Sequence, residues 1–253
     1  MALYKQSFYS ERDASTRYTA NTVLARVVDF FPEIESAVDI GCGVGTWLSV
    51  LKSRGVRTIQ GVDGPWVDRR FLVIPDESFA TKNLATGPLD LGRRYDLAIC
   101  VEVAEHVPQE RAQAFIEGLT RLSDLVLFSA AIPGQGGTGH INEQWPEYWA
   151  NLFSAHGYVC ADGLRFALWH DQKIPWWYRQ NILLFAAARW EPRLRVSGLD
   201  VVAQPLPVVH PAHFKRKTTY STRKAFLLTL TCFGRAIRHR LAAFTGLIRE
   251  SRA

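Results

Sequence analysis

The stretch VDIGCGVGTW, Val38–Trp47, decides how the rest of the chain is read. An apolar run, Ser36–Ile40, meets three glycines at alternate positions, Gly41, Gly43 and Gly45. Thr46–Ser53 follows with helical spacing and is closed by Gly55. The pattern predicts a strand, a tight turn and a helix. Glycine admits positive φ and lets backbone come close to a ligand, and a helix N-terminus offers unpaired N–H groups to an anion. Asp39 stands two residues before Gly41, and Asp63 twenty-two residues after it, at the end of the next predicted strand, Arg57–Val62. A carboxylate there can accept both hydroxyls of a ribose, as the second acidic position does in nucleotide-binding doubly wound sheets. A turn made for packing alone has no need of either acid. The dinucleotide fingerprint G-x-G-x-x-G is not met, because only one residue separates the second and third glycines and an acid precedes the first.

Outward from the turn, apolar spacing predicts helices over 14–31 (closed by Pro32), 109–122 and 147–156, the last ending at Gly157. Further strands are predicted over 95–101, 125–131, 158–169 and 181–187. Strands alternating with helices imply an α/β, doubly wound, mostly parallel sheet with helices on both faces, here of seven strands. The last two are read with no helix between them, as an antiparallel edge hairpin. The domain is expected over residues 1–190. Pro192, Pro205, Pro207 and Pro211 mark residues 191–214 as a linker or extended wrap. Residues 215–253 form a basic tail.

The 253 residues are 47% hydrophobic and 21% charged, which excludes a wholly disordered or collagen-like chain and allows one large core. No run approaches the ~18–20 apolar residues of a membrane span, and MALYKQSFYSERD has no apolar signal-peptide core. A cytoplasmic protein is expected, with the inner membrane surface as a second location. Cys42, Cys100, Cys160 and Cys232 are far apart, with no C-x-x-C, and read as reduced packing residues. The net charge of +6 is unevenly spread: residues 212–253 hold ten Lys and Arg against Glu250, a local +9 that leaves −3 on residues 1–211. The main domain is therefore not a nucleic-acid binder by charge.

With these blocks in order, the chain resembles the class I S-adenosylmethionine-dependent methyltransferases over roughly residues 18–187. VDIGCGVGTW is similar to the family's first motif and GVDG, Gly61–Gly64, to its ribose-binding one. TKNLATGPLDL resembles the segment that reaches the adenine, and RRYDLAICVEVAEHVP the fourth strand and following turn. The family usually has Asp at the position of Asn83, a departure that touches only the adenine contact. The resemblance implies S-adenosyl-L-methionine as cofactor. Gly41, Cys42 and Gly43 would lie against its methionine part, with Asp39 orienting the loop. Asp63 would take the ribose, Asn83 and Leu84 would frame the adenine, and Val101 and Glu102 would close the methionine end. Core packing is the plain alternative for Val101.

An acceptor hydroxyl needs a base near the transferred methyl. The loop AIPGQGGTGHINEQWPEYW, Ala131–Trp149, gathers His140, Asn142, Glu143 and Gln144. His140 is the first candidate base, as the resemblance also suggests, and a pin for the loop is its alternative. Glu143 would orient His140 or bind substrate, or stand as a solvated helix-start carboxylate. His106, in the EHVP turn, is either structural or catalytic. His170 and Asp171 would sit at the mouth of the site. Trp145, Tyr148, Trp149, Trp169, Trp176, Trp177 and Tyr178 crowd the same side, with packing as the reading for Trp149 and Trp169. Such rings suit sugars or flat aromatic acceptors. O-methylation of a sugar or glycan is the expectation, with a phenol or amine acceptor, or an inactive scaffold, as alternatives. No cluster demands a metal ion, so none is expected.

In the tail, Phe226, Leu230, Phe233, Ile237, Leu241, Phe244 and Ile248 recur at spacings of 4, 3, 4, 4, 3 and 4, one stripe along a helix. The stripe docks on its own domain, pairs two copies as a homodimer, or lies on an anionic membrane.

Overall fold

The structure, a computed structural model, describes residues 6–219, with side chains described from residue 15 onward. Two compact units are distinguished, Met1–His210 and Pro211–Ala253. In chain order the first contains α1 (Gln6–Phe30), β1 (Ser36–Ile40), α2 (Thr46–Ser53), β2 (Thr58–Asp63), β3 (Phe79–Thr81), β4 (Leu97–Val101), α3 (Ala112–Leu122) and β5 (Leu125–Ser129). It continues with α4 (Pro146–Ser154), β6 (Tyr158–Ala161), α5 (Gly163–Leu168), α6 (Trp176–Asn181), β7 (Leu183–Ala187), α7 (Glu191–Val196) and β8 (Val201–Val202). The second unit opens with α8 (Pro211–Thr218). The apolar stripe 226–248 and Cys232 lie outside the described residues.

The eight strands form one sheet in the order β3-β2-β1-β4-β5-β7-β6-β8. From β3 to β5 all pairings are parallel, while β7 pairs antiparallel with both β5 and β6. Period-2 alternation splits each central strand between two cores. Ala37, Leu97, Ile99, Leu125 and Leu127 face α1 and α2, and Val38, Ile40, Ala98, Cys100, Val126 and Phe128 face α3 and α4. β4 and β5 are buried along their whole length, as expected of central parallel strands covered on both faces. Each fully buried Leu or Val contributes about 1.5–3 kcal/mol. Among the described residues no helix is long and apolar enough to cross a membrane.

Two expectations are corrected. The strand expected over 158–169 stops at Ala161, and α5 and α6 stand between the two strands of the antiparallel pair. Arg165, wholly buried, forks onto Asp162 three residues earlier, with Nη2 at 2.5 Å from Oδ2. That pair turns the chain into α5 at the point where an apolar run alone reads as strand. Second, the segment read as linker or wrap adds an eighth strand, since β8 pairs with β6 through Cys160↔Val202 and Ala161↔Val201.

Candidate active site

Successive strands run outward from β1 in both directions, β2 and β3 to one side and β4 and β5 to the other. Such a reversal opens a crevice at the carboxyl ends of the strands flanking it. The glycine turn after β1, Asp63 at the end of β2, and Glu102 just beyond β4 therefore meet there.

The turn is held by backbone. Gly41 N–H and Cys42 N–H donate to Val62 O at 2.8 and 3.2 Å, and Gly45 N–H donates to Cys42 O at 2.9 Å. Gly41, at φ +81°, has Val103 so close that an added Cβ would lie 2.3 Å from Val103 Cγ2. Gly43, at φ +54°, differs: nothing lies within 4 Å of where its Cβ would be. The turn is tight on its protein side and open on the other. Asp63 closes it, accepting Gly43 N–H at 2.7 Å through Oδ2 and Gly64 N–H at 2.6 Å through Oδ1. Burial pushes the Asp63 carboxyl up, against those amides, a Trp66 side-chain hydrogen bond and His106.

Asp39 is 1% exposed, and its Oδ2 has no hydrogen-bond partner among the described residues. Burial first, and then Asp63, raise its pKa well above the carboxylate range. Asn83 turns its Oδ1 onto Ala85 N–H at 3.0 Å, so the side chain braces its own turn beside the buried Leu84. Cys42, Cys100 and Cys160 are buried free thiols. Val101 is 8% exposed and belongs to the core cluster on the α1 and α2 side.

Glu102 is the one non-glycine residue with positive φ, +57°, among the described residues. Such strain, of order 1–3 kcal/mol, persists only where surrounding bonds over-determine it. Here Glu102 N–H donates to Ser129 O and Oγ, both at 3.0 Å. Its carboxylate accepts from Asn181 Nδ2 at 3.0 Å and Gln135 Nε2 at 3.1 Å. Gln180 joins this buried network through Gln135 and Asn181. Burial raises the Glu102 pKa, and the donors from Asn181, Ser129 and Gln135 oppose it.

The loop after β5 folds back on the EHVP turn, where Ile141 N–H and Asn142 N–H both donate to Glu105 O at 3.0 Å. That places His140 against His106, ring centroids 4.9 Å apart at 87°. His106 Nδ1 pairs with Gly139 O at 3.0 Å, a carbonyl that can only accept, so Nδ1 carries the proton and Nε2 the lone pair. His140 Nδ1 pairs with Glu143 Oε1 at 3.0 Å. Glu143 also accepts Gly134 N–H and Gly136 N–H at 2.8 and 2.6 Å. Burial pushes its pKa up, but these bonds and His140 together hold it below the usual value. Desolvation on the packed side of the ring, with His140 next to it, lowers the His106 pKa against the Gly139 bond, although the residue is exposed on its other side.

Glu105, wholly buried, has neither carboxylate oxygen in a hydrogen bond of normal geometry among the described residues; burial and then Glu102 push its pKa well up, and the backbone N–H groups of Glu105 and Ala131 oppose the rise. Its Oε1 lies 3.9 Å from His140 Nε2. Ligand atoms of Glu105, His106 and His140 all fall within 4.8 Å of one another. The sequence reading missed Glu105, Gln135, Gln180 and Asn181.

The aromatic cluster divides. Trp149 is core, 1% exposed and against Phe128, and Trp169 packs on His210. Tyr178 reaches Trp47 in the first turn of α2, with centroids 5.8 Å apart. Trp145 is 39% exposed. Asp171 accepts the Tyr18 hydroxyl at 2.9 Å, tying its loop to α1, while His170 is exposed.

A family model described as a methyltransferase domain matches residues 12–203. No curated protein matches the chain. Among solved structures, an O-methyltransferase family protein from Burkholderia thailandensis aligns at 16% identity and TM-score 0.53, over 71% of this chain and 58% of that one. The magnesium protoporphyrin IX methyltransferase of Synechocystis PCC 6803, with bound SAH, aligns at 21% and 0.50, over 73% and 90%. A SAM-bound amino pentose methyltransferase from Micromonospora echinaspora, involved in calicheamicin biosynthesis, aligns at 13% and 0.51, over 73% and 98%. At such identities these likenesses speak to the fold. The family match spans most of the chain, which belongs to this methyltransferase-domain family.

Proposed function

We propose that this methyltransferase carries the methyl group of S-adenosyl-L-methionine to a hydroxyl oxygen of a small molecule, with a sugar or glycan as acceptor. The crevice fits the cofactor on two observations: the cradle left open over Gly43, and the orphaned buried oxygen of Asp39. Gly41, Cys42 and Gly43 would lie at its methionine part with Asp39 orienting the loop, and Val101 and Glu102 would close that end. Asp63 would accept the ribose hydroxyls on the acceptor positions beyond those that Gly43 and Gly64 take, the Trp66 bond giving way where the second hydroxyl binds, and Asn83 and Leu84 would border the adenine. When bound, the cofactor supplies an electrophilic methyl on a sulfonium.

The hydroxyl reading is carried by the imidazole pair. His140 is braced by Glu143 and His106 by Gly139, each at Nδ1. That leaves the Nε2 lone pair of each ring free to take a proton from an acceptor O–H that reaches the pair. An amine acceptor that arrives unprotonated needs no such arrangement. The sugar reading is supported by the exposed ring surface of Trp145, on the loop that carries His140. Labelled cofactor offered with saccharides, phenols and amines tests the proposal. Methyl ethers on saccharides are expected, and label found only on amines overturns it. His140→Ala should lower turnover by about 10²–10⁴-fold with cofactor binding unchanged.

A further inference from the structure

We infer that Glu105, His106 and His140 form a site for a divalent first-row cation such as Mn²⁺, Co²⁺ or Zn²⁺. Its catalytic role rests on the methyl-acceptor reading above; its capacity to bind does not. Three independent features converge. The three candidate ligand atoms lie within 4.8 Å of one another, near enough for one ion to draw them together by small side-chain shifts. Glu105 is wholly buried and neither oxygen makes a hydrogen bond of normal geometry among the described residues, so the backbone N–H groups of Glu105 and Ala131 beside the carboxylate offset its burial only in part. Both imidazoles also have the outer-shell partners typical of metal-bound histidine, a carbonyl on one Nδ1 and a carboxylate on the other.

Two imidazoles and a carboxylate suit ions between the hard and soft extremes. Three protein ligands leave further positions for water or an acceptor hydroxyl, which a bound cation would make more acidic. With an ion in place both Nε2 lone pairs are engaged, and the cation takes over from the imidazoles in activating the hydroxyl. Exposed His106 leaves the group open to solvent, so an ion can enter.

Untagged full-chain protein, stripped with a chelator, is titrated with Co²⁺ and followed by visible absorption and calorimetry, with S-adenosylhomocysteine binding as the measure of an intact fold. One equivalent per chain is expected. Glu105→Gln and His140→Ala should weaken Co²⁺ binding at least 100-fold while S-adenosylhomocysteine still binds. Gly137→Ala, whose Cβ would lie 2.1 Å from His140 Nε2, should weaken it with every ligand retained. Wild-type protein that binds S-adenosylhomocysteine but neither Co²⁺, Mn²⁺ nor Zn²⁺ overturns the site, as does unchanged Co²⁺ affinity in Glu105→Gln. Stoichiometric Co²⁺ binding without S-adenosylhomocysteine binding would support the site and sink the methyltransfer reading. Turnover that survives the chelator overturns the catalytic role.

Discussion

Asp63 accepts the backbone N–H of Gly43 at 2.7 Å, tying the end of β2 to the turn after β1. One side chain thus shapes the turn and presents a carboxylate beside it. Asp63→Ala should lower affinity for S-adenosylhomocysteine by at least 100-fold. Two hydrogen bonds to a charged group are lost, each worth about 1.5–3 kcal/mol. Calorimetric titration of the variant against wild type checks this, and equal affinities would remove Asp63 from the ribose site.

The same carboxylate gives a pH dependence. Burial raises the Asp63 pKa, and the proton destroys an acceptor needed by the ribose. Affinity for S-adenosylhomocysteine should therefore fall as pH drops through this raised value, at a higher pH than an ordinary aspartate near 3.9 would produce. Asp63→Asn should bind weakly and flatten the profile. A wild-type affinity that holds level down to pH 4 contradicts the assignment.

Much of this was legible in the chain because the informative residues are local. Strand, glycine turn and helix are contiguous, and Asp63 follows one strand later, so spacing alone brings the cofactor groups together. The acceptor side is different. Glu102 meets Gln135 and Asn181 across 33 and 79 residues, a contact with no periodic signature. Glu105 and His140 come from two loops, which is why the sequence reading expected no metal at a place where the fold gathers three ligand atoms. The stretch 158–169 misled because a short apolar run looks alike in strand and helix. The turn there is decided by Arg165 and Asp162, a polar pair inside the core. β8, two residues between prolines and glycine, is too short to leave a pattern.

That polar pair predicts a stability effect. Arg165 also donates to Gln180 O and Leu206 O at 3.2 and 2.6 Å. Arg165→Met leaves a buried carboxylate unpaired and should cost about 3–5 kcal/mol in denaturant unfolding. The double variant with Asp162→Asn should recover part of that loss. A cost near zero for the single variant would mean water reaches Asp162.

The tail is a separate proposal from sequence. Residues 212–253 carry +9, and each basic residue near an anionic leaflet contributes about 1 kcal/mol. Full-length protein should sediment with anionic liposomes at low salt and be released by salt. Truncation after Phe214 should abolish this and leave S-adenosylhomocysteine binding intact. An insoluble truncation, or a full chain that ignores the liposomes, would assign the apolar stripe to the fold or to a homodimer contact.

The fate of the methyl carbon itself can be followed. Purified protein is incubated with S-adenosylmethionine labelled with ¹³C in the methyl group and with glycan fractions of cell lysate, and the product is read by NMR. Transfer to oxygen predicts a labelled methyl ether on a sugar carbon, absent with Asp63→Ala and strongly reduced with His140→Ala. Label found on nitrogen, or ether formation that persists undiminished in both variants, would contradict the account.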